Sequence, residues 1–317
     1  MSGSSPFSGP EKINPDALSI QFYDTSVYTD ARTELYKLRA DPKVDFLGLG
    51  IGALQLTGDE HILETGCGKG GFSEMLDSLG YKGEITSADV SPHTFEATAM
   101  SLADKSNFKF VQADACDLPF PDNHFQGYAS FNLLHAISDP LAAILEAKRV
   151  TKPGAILTFA IRGPENFARH AETVDKLLVD LDFIPVGSPY AHFGSEDALE
   201  VLGKYFEIIP ERSYPQDTDA SSVRQMKLVA EDWSLYSYSI YGTARAAILV
   251  QMGIKANALD SAIPRQVQDK LNELKVLIKA LRPEFEAEIE ENGFYHETAQ
   301  DRLITCINTK EDLSLAA

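Results

Sequence analysis

The sequence predicts an α/β fold, a doubly wound and mostly parallel sheet with helices on both faces. Three observations carry this. Short apolar runs alternate with helical stretches between residues 61 and 162, and such alternation closes into a parallel sheet through right-handed crossovers. A glycine-rich turn, Gly66-Cys67-Gly68-Lys69-Gly70-Gly71, joins the first apolar run to the first helix of that series. Acids close the first two runs, at Glu64 and Asp89.

Taken in order, residues 1–15 contain several Ser, Gly and Pro and read as a mobile leader. A helical pattern follows from about Ser19 to Leu56, broken near Asp41-Pro42, because the residue before proline disfavours helix. Strands are expected at 61–64, 84–88, 108–112, 125–131 and 155–162, with helices at 72–80, 92–104 and 139–150. Beyond Arg162 the rhythm changes to helices at 166–182 and 195–205 and a strand at 205–209. Residues 210–300 read as mostly helical. Val267, Leu271, Leu274, Ile278 and Leu281 form an apolar stripe at three- and four-residue steps, and Glu284–Glu291 an acidic, solvated face. A last strand is expected at 302–308. The division this suggests is a leader (1–15), an N-terminal helical lid (16–60), a core (61–210), a helical cap (211–300), and the last core strand with a tail (301–317).

Composition narrows the partners. The 317 residues carry a formal net charge of −19, which repels phosphate backbones and anionic headgroups. Neither nucleic acid nor a membrane surface is expected as a partner. No apolar run is long enough to span a bilayer. Three cysteines, at 67, 116 and 306, show no metal-ligand spacing and no disulfide frame, so no metal is expected and a reducing, cytoplasmic location is. Cys67 reads as a small residue packed in its turn rather than a thiol nucleophile. The oligomeric state is left open.

The glycine turn points to a ligand. Glycine lets the backbone reach positive φ and lets a ligand approach the main chain, while the following helix start presents free N–H groups. Gly66, Gly68 and Gly71 also satisfy a dinucleotide fingerprint, a weak signal taken alone. Asp89, ending the second strand, suits ribose hydroxyls of either NAD or an adenosine cofactor. Asp114-Ala115 with Leu118-Pro119-Phe120 follow the third strand, and Arg149-Val150-Thr151-Lys152-Pro153-Gly154 precede the fifth.

Together, these motifs make residues 60–162 resemble a class I S-adenosylmethionine-dependent methyltransferase, most similar to the ubiquinone/menaquinone-type small-molecule branch. The resemblance implies a Rossmann-like, seven-stranded, mostly parallel sheet with an antiparallel last strand, and S-adenosylmethionine as cofactor. It implies that Glu64 and the Gly66, Gly68, Gly70 turn hold the amino-acid end, and Asp89 the ribose. Val90 and Phe95 would pack near the adenine, Asp114 and the Ala115 N–H would meet its edge, and Asn132 would lie near the methionine portion. Gln126 and Ala155 depart from the family pattern, at positions that bear little on the cofactor.

The implied activity is methyl transfer to a small, hydrophobic or aromatic acceptor. Two alternatives keep the same site: a cyclisation or pericyclic step using the bound sulfonium, and a non-catalytic cofactor-binding regulator. His135, just past the fourth strand, is the first candidate base, and His192 the second. Arg162 is a candidate partner for a substrate carboxylate. Trp233 and Tyr236, within an aromatic-rich helix, are candidate substrate contacts, and Tyr28, near Phe22 and Tyr23, a candidate lid residue over the cofactor.

Overall fold

A computed structural model describes residues 26–188, 190–218, 221–255 and 258–309. The expected leader, Phe22 and Tyr23 lie outside the described residues. In chain order the elements begin with α1 (Ser26–Arg39), β1 (Ala40–Asp41), α2 (Phe46–Leu54), β2 (Ile62–Thr65), α3 (Gly71–Ser78) and β3 (Ile85–Asp89). They continue with α4 (Pro92–Ser101), β4 (Phe108–Gln112), β5 (Phe125–Phe131), α5 (Pro140–Val150), β6 (Thr151–Arg162), α6 (Ala168–Asp180) and α7 (Ser195–Tyr205). The chain closes with β7 (Glu207–Ile208), β8 (Val223–Leu228), α8 (Trp233–Gln251), α9 (Arg265–Ala280), α10 (Arg282–Asn292) and β9 (Tyr295–Ile307). Among the described residues no helix is long and apolar enough to cross a membrane.

The chain divides into two compact units. Of the described residues, those within 42–166, 190–224 and 299–317 make one, a core, and those within 1–41, 167–189 and 225–298 the other, a helical unit. These bounds differ from the linear division suggested by sequence, since each unit draws on three separated segments.

In the core unit the strand order is β9-β6-β5-β2-β3-β4, and β7 pairs with β9. Pairings among β2 to β6 are parallel, whereas β9 runs antiparallel to β6 and β7. This is the mostly parallel, seven-stranded sheet with an antiparallel last strand. Successive side chains of a strand point to opposite faces, and both faces are covered. Leu63, Tyr128, Leu157 and Phe159 pack with Ile144 and Ala147 of α5 on one side. Ile62, Ile85 and Ala129 pack with Phe72 and Leu76 of α3 and Ile51 and Leu54 of α2 on the other. With both faces buried, the strands read as continuous apolar runs, which made them visible in the sequence.

Two strand segments depart from the expectation of a mostly helical 210–300. The first is β8, where burial alternates and the buried set is Arg224, Met226 and Leu228. Its apolar alternation was broken by a buried cation, whose Nη2 donates to Asp301 Oδ2 at 2.8 Å. The second is the start of β9, seven residues earlier than expected. Glu297, Gln300, Asp301 and Arg302 are all buried there, so polarity hid the strand.

In the helical unit a single carboxylate does what a local cap does elsewhere. Helix α6 has no side-chain cap of its own, since Phe167 occupies that position with φ 54°. Glu297 of β9 supplies it: its carboxylate accepts from Arg169 N at 3.2 Å and His170 N at 2.9 Å. A negative group at a helix N-terminus also complements the helix dipole. The same carboxylate accepts from Thr298 N at 2.9 Å and from the Tyr236 hydroxyl at 3.0 Å. Burial raises the Glu297 pKa, and these four donors oppose that rise. Arg169 pairs with both oxygens of Glu288, at 2.8 and 2.9 Å, and stacks over Tyr295. Glu297→Ala is expected to cost about 3 kcal/mol, because it strands several buried donors. Urea unfolding of the two proteins measures this, and a loss under about 0.5 kcal/mol would contradict the remote cap.

Candidate cofactor site

The site forms where β2, β3, β4 and β5 end. Parallel register sets Glu64 opposite Ser87 and Asp89 opposite Gln112. Consequently the Ser87 hydroxyl donates to Glu64 Oε2 at 2.8 Å, and Ser73 of α3 hydrogen-bonds Ser87 at 2.8 Å. Glu64 is buried, and burial pushes its pKa up to about 8; the Ser87 bond opposes the rise and the nearby Asp89 charge adds to it. Burial therefore favours the protonated form of this carboxyl near neutral pH.

Past β2 the chain turns through Gly66 and Gly68, both at positive φ, +66° and +50°. A Cβ on Gly66 would lie 2.9 Å from Leu133 Cδ1, so this glycine lets the turn sit against the segment after β5. Gly68 differs, because nothing lies within 4 Å of where its Cβ would be. Its open side is the candidate cradle. The turn is held from two directions. Gly68 N donates to Asp89 Oδ2 at 2.9 Å, and the Thr98 hydroxyl of α4 donates to the Lys69 carbonyl at 2.6 Å. Cys67 is buried, and burial raises its thiol pKa, with Glu64 and Asp89 adding to the shift. It stays protonated and unreactive.

Asp89 also accepts from Ser91 N at 3.0 Å through its other oxygen, and its carbonyl accepts from Ala113 N at 3.0 Å. That bond draws Asp114 and Ala115 beside the ribose candidate. Asp114 is exposed, with Oδ1 accepting from Cys116 N at 2.8 Å. Asn132 follows β5 at φ 59°, its N–H bonded to the Ala160 carbonyl at 2.7 Å. Glu64, Gly66, Gly68, Gly70, Asp89, Asp114, Ala115 and Asn132 therefore converge on the same ends of neighbouring strands. Val90 is exposed nearby, and Phe95 stacks on Phe110 at 5.6 Å.

The residues singled out for chemistry are placed differently. His135 is buried in a short turn, its ring edge-on to Tyr190 at 4.8 Å. His192 is exposed and hydrogen-bonds the Ile137 carbonyl at 3.0 Å, on the segment that follows His135. Arg162 lies 3.5 Å from Asp301 and donates to the Tyr190 hydroxyl at 3.4 Å. Trp233 and Tyr236 belong to the helical unit, in an aromatic cluster with Phe285 and Tyr295. Tyr28 lies on α1, and its side chain is outside the described residues.

Sequence reasoning missed Ser73, Ser87, Thr98 and Leu133, the supports of the turn. A threonine on the buried side of α4 and a serine inside β3 were the available signals. The Arg149 motif also proves to be a support. Its guanidinium donates to the Leu118 and Phe120 carbonyls and to Asp122 and Glu146, clamping the 118–122 loop. Gln126 answers its departure from the family pattern directly, with Oε1 accepting from His61 N at 3.0 Å.

Comparisons with known proteins bear on the fold and on the segment that carries these strand ends. Residues 63–159 match the family model of a methyltransferase domain. Over 97 residues the chain is 36% identical to a demethylmenaquinone methyltransferase of Staphylococcus aureus strain MRSA252, covering 30% of this chain and 40% of that relative. The structure also resembles the YcgJ protein of Bacillus subtilis, with a TM-score of 0.50 at 16% identity, covering 84% of this chain and 99% of that one. A Bacillus halodurans C-125 protein provisionally assigned as a methyltransferase gives a TM-score of 0.50 at 18% identity, with the same coverage. Residues 63–159 are thus similar to a methyltransferase domain, and the matched stretch spans 40% of the length of the curated Staphylococcus aureus relative.

A raised carboxyl pKa has a pH signature. In the ligand-free protein, Glu64 contributes stability that is fully present below its unfolded value near 4.5 and is lost as pH rises through about 8. At 1.36 kcal/mol per unit this is at most roughly 4–5 kcal/mol. Denaturant unfolding of wild type and Glu64→Gln between pH 5 and pH 9 is expected to show wild type losing stability relative to the variant as pH rises. Parallel curves would refute the protonated carboxyl.

Proposed function

We propose that this chain transfers a methyl group from S-adenosylmethionine to a small, hydrophobic or aromatic organic molecule. The observation that carries the reading is the glycine turn at Gly66 and Gly68, tied to Asp89 and set at the strand ends that carry Glu64 and, through the Ala113 bond to Asp89, Asp114. A cationic nucleoside fits such a donor set. When bound, S-adenosylmethionine supplies an electrophilic methyl carbon on a sulfonium that leaves as a neutral thioether.

In this reading Glu64 gives up its proton and holds the cofactor's ammonium end. Each Asp89 oxygen accepts one backbone N–H and keeps a lone pair for a ribose hydroxyl. Asp114 and the Ala115 N–H recognise the adenine edge, and Asn132 orients the methionine portion. The protein's share of catalysis is then to align the acceptor and exclude water, an effect worth on the order of 7–11 kcal/mol. His135, on the segment that begins with Asn132, takes the proton from an oxygen or nitrogen acceptor, with Tyr190 fixing its ring. His192, bonded to Ile137, steadies that segment.

A small-molecule acceptor is supported by the net charge of −19, which disfavours nucleic acid, and by a relative named for demethylmenaquinone. Calorimetry with S-adenosylhomocysteine tests the site. Asp89→Ala, which removes the acceptor of two backbone bonds, and Gly68→Val, which puts a β-branched residue at φ +50°, are each expected to weaken binding at least ~100-fold. Normal affinity in Asp89→Ala would remove the ribose assignment, and no affinity in wild type would remove the function. His135→Gln is expected to keep S-adenosylhomocysteine affinity and lower kcat by roughly 100-fold. An unchanged kcat would make His135 structural.

A further inference from the structure

We infer that an open cleft of about 650 Å³ in the core unit, between α2 and residues 211–216, is the acceptor site, and that it takes an organic acid with an apolar body. This rests on the methyl-transfer reading and deepens it by naming the acceptor's chemistry. The volume lies in the range of small-molecule pockets.

The argument starts from α2, Phe46–Leu54, whose sequence FLGLGIGAL places three glycines in nine residues. Glycine in a helix interior is unfavourable, so each position calls for a reason. Gly48 lies over the Asp45 cap, whose carboxylate accepts its N–H at 3.0 Å. Gly50 admits Phe131, whose ring carbons lie 2.7 Å from where a Cβ would be. Gly52 has no such reason within the protein, because nothing lies within 4 Å of its Cβ position. It faces the cleft. Gly48, one turn earlier, also lines the cleft with the Asp45 carboxylate over it, so the hollow lies at Gly52, and Leu303 of β9 lines the same cleft.

The opposite wall is polar. Arg212 lines it, and Arg212 Nη1 is cut off from solvent with no hydrogen-bond partner among the described residues. Glu211 lines the same wall, but no ion pair joins it to Arg212 among the described residues, so the remaining guanidinium N–H groups are available to an anion. Arg162, by contrast, already lies beside Asp301. Gln216, also in the wall, adds an amide donor or acceptor. Helix α2 and β9 link the cleft to the candidate cofactor site. Leu47 lies 3.7 Å from the Cβ position of Gly71, and Leu303 pairs with Ala160, the residue that holds Asn132.

Binding of indole-3-acetate and 4-hydroxybenzoate, with their neutral amides as controls, tests this on the full chain saturated with S-adenosylhomocysteine. At least one acid is expected to bind, at least ~10-fold tighter than its amide. Arg212→Gln is expected to erase that preference. Gly52→Leu, which fills the hollow face while improving helix propensity, is expected to weaken acid and amide alike by at least ~10-fold. All variants are expected to bind S-adenosylhomocysteine as wild type does. Acid binding unchanged in Gly52→Leu, a preference that survives Arg212→Gln, or no binding of either acid would overturn the inference. If wild type also fails to bind S-adenosylhomocysteine, the methyl-transfer reading falls with it; if it binds normally, the cleft assignment alone is lost.

Discussion

A carboxylate that accepts one backbone N–H on each oxygen sets the geometry on which the cradle depends. Asp89 takes Gly68 N on one side and Ser91 N on the other, and its own carbonyl takes Ala113 N. Three chain segments from three strand ends are thereby held around a single residue. Parallel register brings those ends level, and the carboxylate converts level ends into a shaped turn. Without it, a run of glycines at positive φ would have many conformations to choose from, each of similar energy.

Around that centre the site divides into groups that shape and groups that carry charge. Leu133, Thr98 and Arg149 shape it: one packs under Gly66, one bonds Lys69, and one clamps the loop beyond Asp114. Glu64 carries charge, and does so conditionally, because burial favours its neutral form. A buried carboxyl with a high pKa is selective for a ligand that brings its own positive charge, since only such a ligand offsets the cost of ionising it. The helical unit follows the same economy of parts. Glu297 serves at once as the cap of α6 and the acceptor for Tyr236.

How much of this was legible in the sequence follows from burial. The parallel strands and the turn were readable because apolar runs and glycines signal themselves locally. Asp89 was singled out as the acid that ends the second strand, and Asp114 through the family resemblance. β8 was not, because Arg224 occupies a buried register position that a hydrophobic pattern reserves for apolar residues. The early part of β9 was hidden in the same way by Glu297, Gln300, Asp301 and Arg302. Trp233 and Tyr236 show the other difficulty: aromatic residues at helical spacing look alike whether they line a pocket or fill an interior. Here they pack against Phe285. The Gly52 face was equally silent, since only coordinates distinguish a glycine admitting a neighbour from one facing space.

The Arg149 clamp has a consequence for how the site answers its surroundings. A guanidinium keeps its charge throughout the physiological range, and its partners Glu146, Asp122 and two carbonyls keep it company at every such pH. The rim beyond Asp114 therefore holds one contour under mildly acidic and mildly alkaline conditions alike. Acidity changes the charge of Glu64 while the Arg149 contacts stay put. The contour of the 118–122 loop and the charge at Glu64 are set by different residues.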